Sequence, residues 1–166
     1  MLIREIVEAD AEAYLALACA IDAESRCMMY EPGERLTTLE QQIDQIRAIR
    51  ASDNQLMLVV AHEGQLVGYL GAIGGDFHRN HHSVYIFVGL LERFTGQGLG
   101  RRLFEETEQW ARRQGLHRLE LTVMRHNTRA LALYQKMGFE IEGTRRHSLQ
   151  VEGLYVDEIC MAKLLV

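Results

Sequence analysis

The sequence predicts a single mixed α/β domain over residues 1–166, a central β-sheet flanked by about four helices in the order β-α-α-β-β-β-α-β-α-β-β. Three observations lead there. Ser83–Leu91 is apolar at every second position on both sides: Val84, Ile86, Val88 and Leu90 alternate with Tyr85, Phe87, Gly89 and Leu91. Such a strand belongs in the middle of a covered sheet. It runs through Gly96, Gly98 and Gly100 into a stretch with Leu99, Leu103, Thr107, Trp110 and Ala111 on one helical stripe. Finally, strand-like pairs joined at Glu63-Gly64 and Glu152-Gly153 read as hairpins on either side of that unit.

Taken in order, Leu2–Val7 is a short alternating strand. Asp10 stands where a cap is wanted for a helix with Tyr14, Leu15, Leu17, Ala18 and Ile21 on one side. The pattern breaks over Arg26–Glu34, where Pro32-Gly33 marks a turn. Thr37 and Glu40 have capping-box spacing for a second helix, carried by Leu39, Ile43, Ile46 and Ile49 and ending near Ser52. Leu56–His62 and Gln65–Ile73 form the first hairpin, and Gly74-Gly75 opens a polar connection into Ser83. After the glycine-loop helix, Gly115 is a stop. Leu119, Leu121 and Val123 make a half-buried strand, Asn127 caps a helix that ends at Gly138, and Phe139–Ser148 and Leu154–Leu164 complete the sheet.

Composition narrows the function. With 18 Lys and Arg against 23 Asp and Glu, the formal net charge is −5. A nucleic-acid module would carry a basic patch or stripe, so no nucleic-acid partner is expected. No apolar run of 18 residues occurs, which removes a membrane-spanning helix. The first residues, MLIREIVEADAE, lack the apolar core of a signal peptide. Cys19, Cys27 and Cys160 make an odd set without C-x-x-C. They read as free thiols in a reducing, cytoplasmic setting. His78, His81 and His82 cluster in a polar turn without helical metal spacing, so no metal is expected.

A strand, a glycine-rich loop and a helix start together make an anion cradle. The first amides of a helix have no internal partner, the macrodipole is positive there, and glycines let the backbone close on a ligand. The spacing is neither a dinucleotide fingerprint, whose third glycine would fall on Arg101, nor a P-loop. Gly96-Gln97-Gly98-Leu99-Gly100, followed by Arg101 and Arg102, resembles the coenzyme A pyrophosphate loop of the GNAT superfamily of N-acetyltransferases, Q/R-x-x-G-x-G/A. Asn127, Ala130, Leu133, Tyr134, Gly138 and Phe139 resemble its second signature, N-x-x-A-x-x-L/F-Y-x-x-x-G-F. The element order is similar as well, with a crossover helix after the central strand.

The resemblance implies acetyl-CoA as co-substrate and transfer of its acetyl group to a primary amine by direct attack in a ternary complex. It implies coenzyme contacts at Thr95, Gly96, Gln97, Gly98, Leu99, Gly100, Arg101 and Asn127, and pantetheine pairing along Val88, Gly89 and Leu90, where a backbone amide polarises the thioester carbonyl. Gly89 is consistent with a bulge or a close approach. Tyr134 is implied as the acid that protonates the leaving thiolate. A phenol near roughly 10 and a thiol near roughly 8.5 make that transfer only slightly uphill. Thr95 stands where the motif usually has Arg or Gln, leaving Arg93, Arg101 or Arg102 to supply the cation.

The general base is open among Glu31, Glu34 and Glu120. Acceptor choice is expected from Ile21–Ser52 and the Arg146–Tyr155 turn, with Glu31 and Glu34 able to attract a cationic small molecule or a peptide amine. A homodimer is expected from the resemblance. A catalytically silent acyl-CoA sensor and a nucleotide-binding protein unrelated to coenzyme A remain the other readings.

Overall fold

The computed structural model describes residues 1–166. Its strands are β1 (Leu2–Glu5), β2 (Gln55–His62), β3 (Gln65–Gly74), β4 (Ser83–Leu90), β5 (Arg118–Met124), β6 (Glu140–Val151) and β7 (Leu154–Leu164). The helices are α1 (Ala11–Glu24), α2 (Leu39–Ala51), α3 (Leu99–Arg113) and α4 (Thr128–Lys136), with short 3-10 turns at Glu8–Asp10 and Glu92–Phe94. All seven strands join one sheet in the order β1-β2-β3-β4-β5-β7-β6, which puts β4 at its centre. Only the β4–β5 pair is parallel; the other neighbours run antiparallel. None of the helices is long and apolar enough to cross a membrane.

Alternation along the strands divides the core in two. Leu56, Leu58 and Val60 of β2 point to one face with Leu70, Ile86, Leu119 and Leu121, where α3 and α4 cover them with Leu99, Leu103, Phe104, Trp110 and Tyr134. Met57, Val59 and Tyr69 point to the other, beneath Tyr14, Leu17 and Ile21 of α1 and Ile46 and Ile49 of α2. Each such side chain taken from water contributes about 1.5–3 kcal/mol.

At the centre, β3 and β4 pair large against small. Leu90 is opposite Gly68, Tyr69 opposite Gly89, and Phe87 opposite Gly71. A Cβ on any of these glycines would fall within 3 Å of the facing side chain. Of the two expectations at Gly89, a bulge or a close approach, the structure shows the second: the β3–β4 register is unbroken, and the glycine is needed for the approach of the Tyr69 ring.

Two capping expectations also change. Asp10 makes no cap bond to α1. Its carboxylate takes both Nη1 and Nη2 of Arg4, at 2.6 and 2.8 Å, and the Val7 amide at 2.9 Å. The second helix is boxed one residue later, with Thr38 accepting from the Gln41 amide and the Gln41 side chain accepting from the Thr38 amide.

One ion pair ties α3, α4 and β7 together. The Lys163 ammonium donates to Glu108 at 2.5 Å and to the Met137 carbonyl at the end of α4 at 2.7 Å. Burial pushes the Glu108 carboxyl up, but Lys163 and Arg112 outweigh it and hold the group below its ordinary value of 4.5. A depressed carboxylate stabilises the fold above its unfolded pKa and loses that contribution as pH falls through the folded one. Lys163→Met is expected to cost about 1 kcal/mol at pH 7. That corresponds to a melting temperature lower by about 2–4 °C. The gap from the parent protein should close as pH drops below about 4, which thermal melts across pH would check.

Candidate functional site

The parallel pair is short. Only Ser83, Val84 and Tyr85 of β4 face Arg118, Leu119 and Glu120 of β5. Beyond them β4 stays registered on β3 as far as Leu90, while β5 stays registered on β7 as far as Met124. The two strands fork, and the Tyr85 hydroxyl bonds that of Thr122 at 2.8 Å across the opening. From Ile86 to Leu90 one backbone edge of β4 therefore has no strand partner. It opens on a cavity of about 1100 Å³ lined by Val88, Gly89 and Leu90.

The glycine loop lies at the outer end of the same cavity. Gly96 and Gly98 have φ of 74° and 80°, the left-handed region open to glycine. Gly98 directly precedes α3 and no side chain caps that end. The first ladder bond runs from the Arg102 amide to the Gly98 carbonyl at 3.1 Å. The amides of Leu99, Gly100 and Arg101 are thus free, as an anion site needs.

Thr95, Gly96, Gly98, Gly100 and Arg101 line the cavity; Gln97 and Leu99 do not. The Gln97 amide turns back to the Arg93 carbonyl at 3.0 Å, and the Leu99 side chain is buried in the core. Arg101 is held by Glu105 at 2.7 Å. The cation lying over the loop is instead Arg129 of α4. Its Nη1 donates to the Thr95 hydroxyl at 3.0 Å, and Nη2 lies 2.7 Å from where a Cβ on Gly96 would be. Arg129 occupies a variable position of the second signature, which is why the motif does not single it out.

Asn127 and Tyr134, two helical turns apart, both line the cavity. The Asn127 oxygen accepts from the Ala130 amide at 3.3 Å, which leaves its NH₂ unused. Tyr134 is buried beside Phe104, with ring centroids 5.4 Å apart, and Phe139, at 6.2 Å. Its hydroxyl has no protein partner, and no buried side-chain oxygen or nitrogen is sealed away unbonded. It therefore opens on the cavity. Burial pushes the phenol well above its ordinary value of 10, with smaller contributions from Tyr85 and Cys27. The near match with a thiol expected from ordinary values is thus widened. Cys27 lines the cavity too, its thiol raised by burial and 3.7 Å from His126 Nε2.

The carboxylates singled out from sequence lie elsewhere. Glu31 and Glu34 are exposed, Glu34 accepting the Glu31 amide at 2.9 Å. Glu120 is tied to Arg118 at 2.7 Å. The acid lining the cavity is Glu158 of β7, opposite Met124. It is 4% exposed and paired through one oxygen with Arg145 at 3.3 Å. Nothing in the local pattern marks Glu158; its place follows from β7 lying beside β5. The polar turn before β4 serves structure instead: His81 meets Asp53 at 2.9 Å.

The acetyltransferase (GNAT) family model matches residues 15–139 of this chain. The chain belongs to that family. It is 32% identical over 111 residues to the L-amino acid N-acetyltransferase AaaT of Escherichia coli, a match covering 64% of this chain and 67% of AaaT. Curated relatives of this GNAT chain are matched over 25–67% of their own length. A GNAT acetyltransferase structure from Streptococcus pneumoniae superposes with a TM-score of 0.96 at 31% identity, covering 99% of both chains. That of YncA from Salmonella typhimurium, described with its cofactor acetyl-CoA, shares the fold at a TM-score of 0.88 and 21% identity, covering 100% of this chain and 94% of YncA.

Gly89 joins the strand edge to the cavity wall, and a Cβ there would lie 2.8 Å from Tyr69 Cζ and 2.9 Å from its hydroxyl. Gly89→Ala is expected to destabilise the protein by about 1–3 kcal/mol through overpacking. Chemical denaturation should show this as a lower midpoint with an unchanged slope.

Proposed function

We propose that this chain is one acetyltransferase domain over residues 1–166 that moves the acetyl group of acetyl-CoA to a primary amine by direct attack in a ternary complex. The observation that carries the reading is the unpaired edge of β4 running toward the uncapped start of α3 within one cavity. An extended amide arm can add to such an edge as a strand does, and a pyrophosphate can take the free amides.

The chain's residues divide the work. The free amides of Leu99, Gly100 and Arg101, with Arg129 above Gly96, hold the phosphates. Backbone groups at Val88, Gly89 and Leu90 align the pantetheine arm, and an amide there stabilises the oxyanion as the amine nitrogen bonds to the carbonyl carbon. Glu158, the carboxylate of the cavity, takes the proton that the attacking nitrogen loses, directly or through water. Tyr134 donates its proton to the sulfur as the carbon–sulfur bond breaks. Because burial holds the phenol protonated at any working pH, it enters the reaction as a donor.

Acetyl-CoA at 100 times its dissociation constant is expected to add about 2.7 kcal/mol to stability, raising the melting temperature by roughly 5–10 °C. ATP and NAD should give no comparable rise. A flat response to acetyl-CoA, or a larger one to ATP or NAD, would overturn the assignment. Tyr134→Phe is expected to lower kcat by about 10²-fold or more while acetyl-CoA affinity holds. Glu158→Gln should likewise lower kcat by about 10²-fold or more while acetyl-CoA affinity holds; an unchanged kcat would take the base role from Glu158.

A further inference from the structure

The half of the cavity beneath α1 and α2 has its own polar equipment, which the coenzyme reading leaves unused. Arg35, in the connection between those helices, is half-buried and lines the cavity. Its Nε and Nη2 donate to the two oxygens of buried Asp22 at 2.7 and 3.2 Å, and Tyr30 covers its face at 4.4 Å. A guanidinium has five N–H groups in a planar fork. Asp22 takes one edge, and the Nη1/Nη2 edge is left without a protein partner.

Tyr14, Tyr69 and Gln42 line the same cavity, are 4%, 1% and 3% exposed, and make no side-chain hydrogen bond. Since no buried polar side-chain atom is sealed off unbonded, these groups too open on the cavity. Burial raises the Tyr14 phenol to about 12, with Arg35 partly offsetting it; Tyr69 is raised in the same way and feels the same charge. Both are O–H donors at working pH. The Tyr69 ring also lies against Gly89, where the acetyl group would be held.

Resting on the transferase reading above, we infer that the acceptor is a small amine that also carries a carboxylate, as a free α-amino acid does, and that the open Nη1/Nη2 edge of Arg35 anchors that carboxylate. An anion fits because the free groups are mostly donors, and a carboxylate matches the guanidinium fork with two parallel bonds. Asp22 lies on the opposite edge of the guanidinium, and Tyr14, Tyr69 and Gln42 line the same cavity with unused polar groups to offer. Tyr69 packs against Gly89, shares the cavity with Arg35 and feels its charge, so amine and carboxylate need stand only a short way apart. Glu31 and Glu34, able by charge to draw a cation, are exposed on the outer turn.

The test compares acceptors on the intact protein, following thiol release from acetyl-CoA. The probes are the proteinogenic α-amino acids, their α-carboxamides, short peptides with a free amino end, and an alkane diamine. At least one amino acid should exceed its own carboxamide on the order of a hundredfold in kcat/KM, since a site built for a polar group rejects the analogue lacking it. Arg35→Gln should erase most of that ratio through KM on the acid, leaving the carboxamide and the acetyl-CoA thermal shift nearly unchanged. Because that change strands Asp22, Asp22→Asn/Arg35→Gln is made beside it and should behave alike. Equal use of acid and carboxamide, or turnover of peptides or the diamine but not of acids, overturns the anchor and leaves the transferase reading standing. Failure to bind acetyl-CoA or to acetylate any amine removes that reading, and the anchor with it.

Discussion

The constraint on which the site depends is the early parting of β4 from β5. Three paired residues hold the halves of the sheet together; after them each strand follows its outer neighbour. A buried strand with an unpaired edge is costly, because backbone N–H and C=O groups away from water must find partners. Here the edge faces a wide cavity, so the groups remain solvated and open to an extended partner. The same parting gives Tyr85 and Thr122 a gap to bridge, sets β5 so that Met124 meets Glu158 on β7, and leaves α4 free to bring Tyr134 and Arg129 over the opening.

The fork survives because β3 and β4 cannot shift against one another. Leu90 over Gly68, Tyr69 over Gly89 and Phe87 over Gly71 form a ladder of large residues on small ones. A one-residue slip would set large against large and turn every side chain to the wrong face. Tyr69 belongs to the core, the ladder and the cavity wall at once, so the open edge of β4 and the wall beneath α1 and α2 are positioned by the same ring.

What was legible in the sequence is what local chemistry decides. The α3 stripe, the glycines before it, the hairpin turns and the Asn127 cap all rest on neighbours in the chain. The slip in the second capping box is instructive: Thr37 with Glu40 and Thr38 with Gln41 satisfy the same spacing, so spacing alone cannot choose. Arg35, Arg129 and Glu158 were not legible as residues of the cavity. Arg35 finds Asp22 across a turn that breaks periodicity. Arg129 reaches Thr95, and Glu158 enters the cavity because β7 lies inside β6, a choice of sheet order that no alternating pattern contains.

That sheet order bears on how the protein is made. β7 follows β6 in the chain yet lies between β5 and β6. During synthesis β5 must wait with an open edge through α4 and all of β6 before its partner exists, and β6 has no place on the sheet until then. Such late, non-local pairing is slow, and an unpaired edge invites other chains in the meantime. The half built from β1 to β4 has all its strand partners in chain order and can close first. The half that carries Glu158 and braces α4 through Lys163 must wait for β7.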